Sequence, residues 1–295
     1  VSLLPAVDPA LYTVDRGPAD APVRLRYKGV AGFILEHAQH RLVLDPFVSR
    51  TSPWVTLTRP LRPDLPLIER HFPLADDVLV GHAHFDHMLD APALCARTGA
   101  RLIGSPDVCN VGRAAGLPEA QLRETRGREV IESGPARIIG LPSLHGRIYL
   151  GRVSFPGRIL APPPWPPRLH QLRHGLVLNW WIEVGGVRIL HIDSADFLPD
   201  ELRGLEVDLV CLCAIGRAWR RRYVEEVVEL VRPKAILACH WDWFFSPYDA
   251  PVRALPFVDL PGFLAEIRAV GVEALLLPPD GELGLGAPRG PAAPA

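Results

Sequence analysis

The ten residues GHAHFDHMLD, positions 81–90, constrain this chain more than any other stretch. They set His82, His84 and His87 beside Asp86 and Asp90, directly after the apolar run Val78-Leu79-Val80, in a chain with only 11 histidines among 295 residues. In an extended segment alternate side chains face the same way, so His82 and His84 point together from a strand end. Asp86 and His87 then follow from the start of a helix. Imidazole and carboxylate suit zinc, iron or manganese, and a catalytic ion needs three protein ligands plus an open position for water. Four donors this close crowd one open site but can be shared between two ions, so further ligands are expected from other strand ends.

Three later segments offer them. LPSLHG brings His145 soon after the apolar ARIIGL, ILHIDSAD brings Asp193, and ILACHWDW brings His240. Each follows an apolar run, where a side chain can project from a sheet edge into a shared cleft.

The rest of the chain reads as runs of strands with helices after them. VRLRYKG (23–29), GFILEH (32–37) and RLVLDP (41–46) are strands, and residues 51–76 are Pro-rich and irregular with a short helix at LPLIERHF. DVLVGH is a buried strand, the segment after Asp86 a helix ending near Gly99, RLIGS a strand, and Ser105-Pro106 the cap and first turn of another helix. ARIIGLPS follows as a strand, and LVLNWWIEV and VRILHID flank Gly185-Gly186 as a hairpin. DLVCLCA and KAILACH are strands around a helix at WRRRYVEEVVELV; LPGFLAEIRAVG is a helix and EALLLPP the last strand. Without strict strand–helix alternation, two sheets packed face to face with helices outside are expected, as one domain over 1–285 with a disordered tail at 286–295.

Composition narrows the function. Acidic and basic residues number 33 and 32, so no global field draws nucleic acid or an anionic membrane, which leaves local basic patches open. No apolar run reaches the roughly 18 residues that span a bilayer. The N-terminus VSLLPAVDPALYTVD has neither a basic n-region nor a long apolar stretch, so a cytoplasmic protein is expected. Five scattered cysteines form no disulfide framework and suit a reducing compartment.

HAHFDH matches the His-x-His-x-Asp-His motif of the metallo-β-lactamase superfamily, and the order of the later ligands is similar. The chain resembles that superfamily almost throughout, from Leu44-Asp45-Pro46 to the strand after Gly271. The resemblance implies an αββα sandwich of two mixed sheets in the α+β class, with metals at one sheet edge. It further implies that His82, His84 and His145 hold one ion, that Asp86, His87 and His240 hold the second, and that Asp193 bridges them. Ile192 stands before Asp193 where most relatives have glycine, so Asp196 is a rival for the bridge; Asp193 is preferred because it directly ends VRILHI. Within the superfamily, YKGVAGFILE, NWWIEVGGVRILHID and the lack of an added RNA-processing domain are similar to the branch of ascorbate-phosphate lactonases and N-acylphosphatidylethanolamine phospholipase-D-like enzymes.

Two ions, zinc first and iron or manganese as alternatives, hold a shared water and lower its pKa towards neutrality. The expected activity is therefore hydrolysis of a phosphodiester, ester or lactone by a bridging hydroxide that Asp86 orients. The expected substrate is a partly apolar, anionic small molecule or lipid, with no nucleic-acid partner. A di-iron redox protein and a non-catalytic metal-binding protein of the same fold are the alternatives. His191 shares a strand face with Asp193, as a proton donor near the site or simply a half-buried histidine. Asp90, one helical turn after Asp86, either orients a ligand histidine or faces solvent. Cys211 and Cys213 read as buried core in preference to a metal pair, and His37, His40 and His71 carry no assigned chemistry. The Pro-rich connector FPGRILAPPPWPPRLHQLRHG (155–175) is expected to pass the cleft as a stiff arm. Trp165, Arg168 and Arg173 on it, with Arg147 and Trp241, are the candidate substrate contacts.

Overall fold

The computed structural model describes residues 4–286, so the tail expected from 286 onwards lies outside it except for its first residue. Fourteen strands are present among the described residues: β1 (Val23–Tyr27), β2 (Phe33–His37), β3 (His40–Leu44), β4 (Asp77–Val80), β5 (Arg101–Gly104), β6 (Leu122–Glu124), β7 (Val130–Ser133), β8 (Ala136–Ser143), β9 (Val177–Val184), β10 (Val187–Ile192), β11 (Leu209–Cys213), β12 (Ala235–Cys239), β13 (Glu273–Leu275) and β14 (Glu282–Leu285). They form two seven-stranded sheets, ordered β14-β1-β2-β3-β4-β5-β6 and β13-β12-β11-β10-β9-β8-β7. Each sheet is antiparallel at one end and parallel at the other.

The parallel strands explain the continuous apolar runs of the sequence. β11 (LVCLC) and β12 (AILAC) are buried along their whole length, as strands covered on both faces must be. β1, at the antiparallel end, alternates instead, with Val23, Leu25 and Tyr27 buried between Arg24 and Arg26. The sheets meet face to face: the Phe33 ring of β2 lies 5.5 Å from His191 of β10. Between β9 and β10, Gly185 and Gly186 take φ of 56° and 78°, the left-handed angles that a two-residue hairpin turn demands.

Helices cover the outer faces. In chain order they are α1 (Pro53–Thr58), α2 (Leu65–His71), α3 (Phe85–Met88), α4 (Ala91–Thr98), α5 (Pro106–Ala114), α6 (Pro199–Leu202), α7 (Tyr223–Val231) and α8 (Leu260–Ala269). α4 and α5 pack on the first sheet, and α6 and α8 on the second. Ser105 caps α5 by accepting from Val108 N–H, as the Ser-Pro pair implied. No described helix is long and apolar enough to cross a membrane.

Several expectations need correction. Residues 51–76 are less irregular than their prolines suggest, since α1 and α2 both begin with a side-chain cap and proline in the first turn. α7 starts only at Tyr223, because Arg217–Trp219 form a separate 3-10 turn. The last strand is not EALLLPP but β14, which returns to pair with β1. The short polar strands β6 and β7 gave no alternating signal.

Candidate metal centre

Several strands of both sheets end at one shared edge, and the side chains singled out by the sequence gather there. β4 leads into His82 and His84, and the single turn α3 carries Asp86 and His87. β8 leads to His145, β10 to Asp193 and β12 to His240. Three groups of donors result, each with its ligand atoms within 4.8 Å: His82, His84 and His145; His82, His87 and Asp193; Asp86, His87 and His240. Asp193 lies between the other two groups, with Oδ2 2.7 Å from His82 Nδ1 and 3.7 Å from His87 Nδ1. Asp86 Oδ2 is 3.3 Å from His240 Nε2 and 3.8 Å from His87 Nε2.

The backbone is shaped to allow this. A Cβ on Gly81 would overlap the Asp193 carboxylate, so only glycine lets β4 approach β10 so closely there. His240 sits at φ 52° and Asp45 at φ 40°, left-handed angles unusual for residues with side chains and of the kind that cluster at functional sites. His145 Nδ1 lies 2.7 Å from Gly146 O, which places the proton on Nδ1 and leaves Nε2 as a lone-pair donor.

The electrostatics fit a bound cation. Burial, reinforced by the neighbouring imidazoles, pushes His84 and His87 well below the ordinary histidine range and His145 down to about 3, so these rings are neutral ligands. Burial alone would raise the Asp193 carboxyl, but His82, with His191 and His145, outweighs it and holds Asp193 below its ordinary value. Asp193 Oδ1, His84 Nε2, His87 Nδ1 and His240 Nδ1 are buried without a hydrogen-bond partner. Buried polar atoms left unmet at such density are costly, and a cation would draw on the same donor set.

Two contributors were not foreseen. Asp45, at the end of β3, accepts from Gly81 N–H at 2.9 Å and sets Oδ2 3.2 Å from His87 Nδ1. Its carboxyl is pushed well above the ordinary range by burial first and then by Asp193 and Asp86. His174 stacks on His145 with centroids 5.6 Å apart and planes at 26°, and its carbonyl accepts from Ala83 N–H at 3.0 Å. LVLDP was the only sequence signal for the first; nothing marked the second.

Other candidates fall elsewhere. Asp196 accepts from Arg220 and from Phe197 N–H, outside the donor groups. His191 is fully buried beneath the site, edge-on to Phe33 with Nδ1 3.8 Å from Asp45, and does not reach the cavity. Asp90 neither orients a ligand nor meets solvent; it is buried and accepts from Val48 and Ser49 N–H. Cys211 and Cys213 are buried free thiols, Cys213 bordering the cavity.

Above the donors opens a cavity of about 280 Å³, walled by Leu57, Phe85, Tyr149, Phe155, Phe244 and Phe245. The connector does pass it, through Phe155 and Leu169, but its arginines and tryptophan do not line it. Arg168 reaches Thr58 O at 3.0 Å, Arg173 lies over Gly157, Trp165 packs against the core, and Arg147 is exposed. Trp241 is fully buried between Tyr12 and Tyr27. None of these five lines the cavity.

Residues 40–241 match a family model described as a beta-lactamase superfamily domain. Over 207 residues the chain is 29% identical to a UPF0173 metal-dependent hydrolase of Anaeromyxobacter sp. (strain K), covering 65% of this chain and 67% of that protein. Its fold is similar to that of Igni18, a metallo hydrolase of the archaeon Ignicoccus hospitalis, with a TM-score of 0.59 at 18% identity over 88% of this chain and 97% of the other. CmlA, a diiron β-hydroxylase from Streptomyces venezuelae, is similar with a TM-score of 0.56 at 19% identity, over 91% of this chain and 55% of the other. At these identities the two structural likenesses are likenesses of fold.

Proposed function

The chain belongs to the β-lactamase superfamily and is a metal-dependent hydrolase, and from that premise we propose a dinuclear enzyme that cleaves an ester or lactone bearing an apolar group. His82, His84 and His145 would hold one ion, Asp86, His87 and His240 the other, with Asp193 between them. Zinc suits this donor set first, and iron or manganese are its alternatives. When bound, the ions supply a water activated for attack at neutral pH and a Lewis acid for the oxygen that gains charge. Asp86 borders the cavity, where its carboxylate can orient that water by accepting its proton. Phe85, Phe155, Phe244 and Phe245 wall the cavity, exclude bulk water and offer an apolar surface to the acyl or alkyl part.

The observation that carries this reading is a donor cluster at the floor of an apolar-walled cavity that no arginine or lysine lines. An anionic phosphodiester would find positive charge only at the ions, so that class is placed second. A series of p-nitrophenyl esters, a lactone and bis(p-nitrophenyl) phosphate test it. Chelator-sensitive turnover should rise with acyl length and be slow on the phosphodiester. Faster cleavage of the phosphodiester than of every ester would reverse the substrate class. Two irons with oxygen-dependent turnover and no hydrolysis would favour the redox alternative.

A further inference from the structure

The rim of the cavity carries large apolar side chains that nothing in the fold covers. On one side α1 exposes Trp54 by 73% and Leu57 by 68%. On the rim at Tyr149, which also lines the cavity, Leu150 is 87% exposed, and Phe257, whose ring lies 6.3 Å from Tyr149, is 91% exposed. Trp219 extends this side by packing against Gly151. Leu57, Tyr149 and Phe155 belong both to this rim and to the cavity wall, so the apolar surface runs continuously from outside into the site. Leu150, Phe155 and Phe257 hold φ of 60°, 39° and 64°, a conformation bulky residues avoid, and each remains turned towards solvent.

Three of the segments that wall the cavity carry only basic charge, while the segment that bears Phe257 adds Asp249 and the exposed Asp259 as well as Arg253. Segments 46–63, 144–175 and 209–224 contain twelve arginines and no aspartate or glutamate, in a chain whose acidic and basic totals are 33 and 32. Several of these arginines pair with carboxylates from other segments, such as Arg158 with Asp107 and Arg222 with Glu229. Arg59, Arg147, Arg152 and Arg221 are exposed, and no carboxylate pairs with them among the described residues.

We infer that this rim is a docking surface for an anionic lipid bilayer, which it meets with the cavity mouth facing the membrane. Exposed tryptophan, tyrosine, leucine and phenylalanine flanked by arginine are the side chains that settle at a bilayer interface, the rings and aliphatic groups below the headgroups and the guanidinium groups among the phosphates. Leu150 and Leu57 favour lipid over nucleic acid, because a leucine offers a polynucleotide neither a stacking face nor a hydrogen bond. A chain with no described spanning helix would bind this way peripherally and reversibly. Docking here holds whichever bond is cut at the cavity floor.

Co-sedimentation of the purified full chain with vesicles tests it, comparing mixed phosphatidylglycerol–phosphatidylcholine with phosphatidylcholine alone. Asparagine tolerates left-handed backbone angles, so L150N/F257N removes two apolar contacts without straining either loop; an unchanged melting temperature checks the fold. The expected result is partition onto the anionic vesicles, weaker on the neutral ones, reduced by salt and lowered about tenfold or more in the double variant. No partition onto anionic vesicles, or partition that the double variant leaves intact, overturns the inference. Tighter binding to a single-stranded oligonucleotide, or a concentration-dependent dimer abolished by L150N/F257N, would assign the surface to nucleic acid or to a second copy and overturn it equally.

Discussion

Nδ1 of His87 lies 3.2 Å from Oδ2 of Asp45, and both side chains are buried. The contact turns the ring so that Nε2 faces Asp86 and His240, the donors with which it would share an ion. Asp45→Asn keeps an oxygen for Gly81 N–H while replacing the carboxyl group beside His87 Nδ1. Loss of such an outer partner typically weakens metal binding about 10–100-fold. Competition with a chelator should show that loss, and an unchanged affinity would mean the ring is held by packing alone.

Asp196 is separated from the donors by its own cation. It pairs with Arg220, which also reaches Glu226 at 2.8 Å and lies 3.7 Å over the Phe197 ring. Asp196→Ala should leave metal content untouched and lower stability by about 1–3 kcal/mol, read in urea denaturation. Metal loss in this variant would return the bridging role to Asp196.

The connector is pinned at both ends by one carboxylate. Asp107, fully buried at the start of α5, accepts from Ile159 N–H at 2.5 Å, from Leu176 N–H at 3.1 Å and from Arg158 Nε at 2.8 Å. Asp107→Ala leaves those donors unmet and should cost about 3 kcal/mol. With Phe155 and Leu169 no longer fixed, KM for an apolar ester should rise while kcat changes little. A kcat loss at constant KM would mean the connector acts on the donors instead of the wall.

The donor cluster was legible because a metal would restrict residue type and because strand alternation and apolar runs locate strand ends. Asp45 and His174 were not, since each is a single polar residue whose importance comes from what lies across the cleft. That the connector's arginines and tryptophan do not line the cavity was not legible for a related reason: proline fixes backbone angles but does not decide which face of the connector looks inward. Trp241 shows the same limit. His240 is left-handed, which breaks the alternation of β12 and sends the next side chain back into the core.

Asp90 supplies a pH dependence away from the donors. Burial outweighs its hydrogen bonds from Val48 and Ser49 and lifts its pKa to about 6. An unfolded aspartate titrates near about 3.9, so between those values the folded state keeps a proton that the unfolded chain has released. The stability this contributes is full below the unfolded value and is lost as pH rises through about 6, a difference of about 3 kcal/mol. Asp90→Asn cannot ionise and should remove it. Urea midpoints of both proteins from pH 4 to 7 should diverge in favour of the variant as pH rises; parallel curves would show that Asp90 is not held protonated.

Metal stoichiometry tests the two-ion site most directly. Elemental analysis of the chain and of Asp193→Ala, each saturated with zinc and freed of excess by gel filtration, reads it without any substrate. The expected result is two equivalents per native chain, falling to one or fewer when the carboxylate between the two donor groups is removed. A folded native chain that saturates at one equivalent or none, or an Asp193→Ala chain that still holds two, would contradict it.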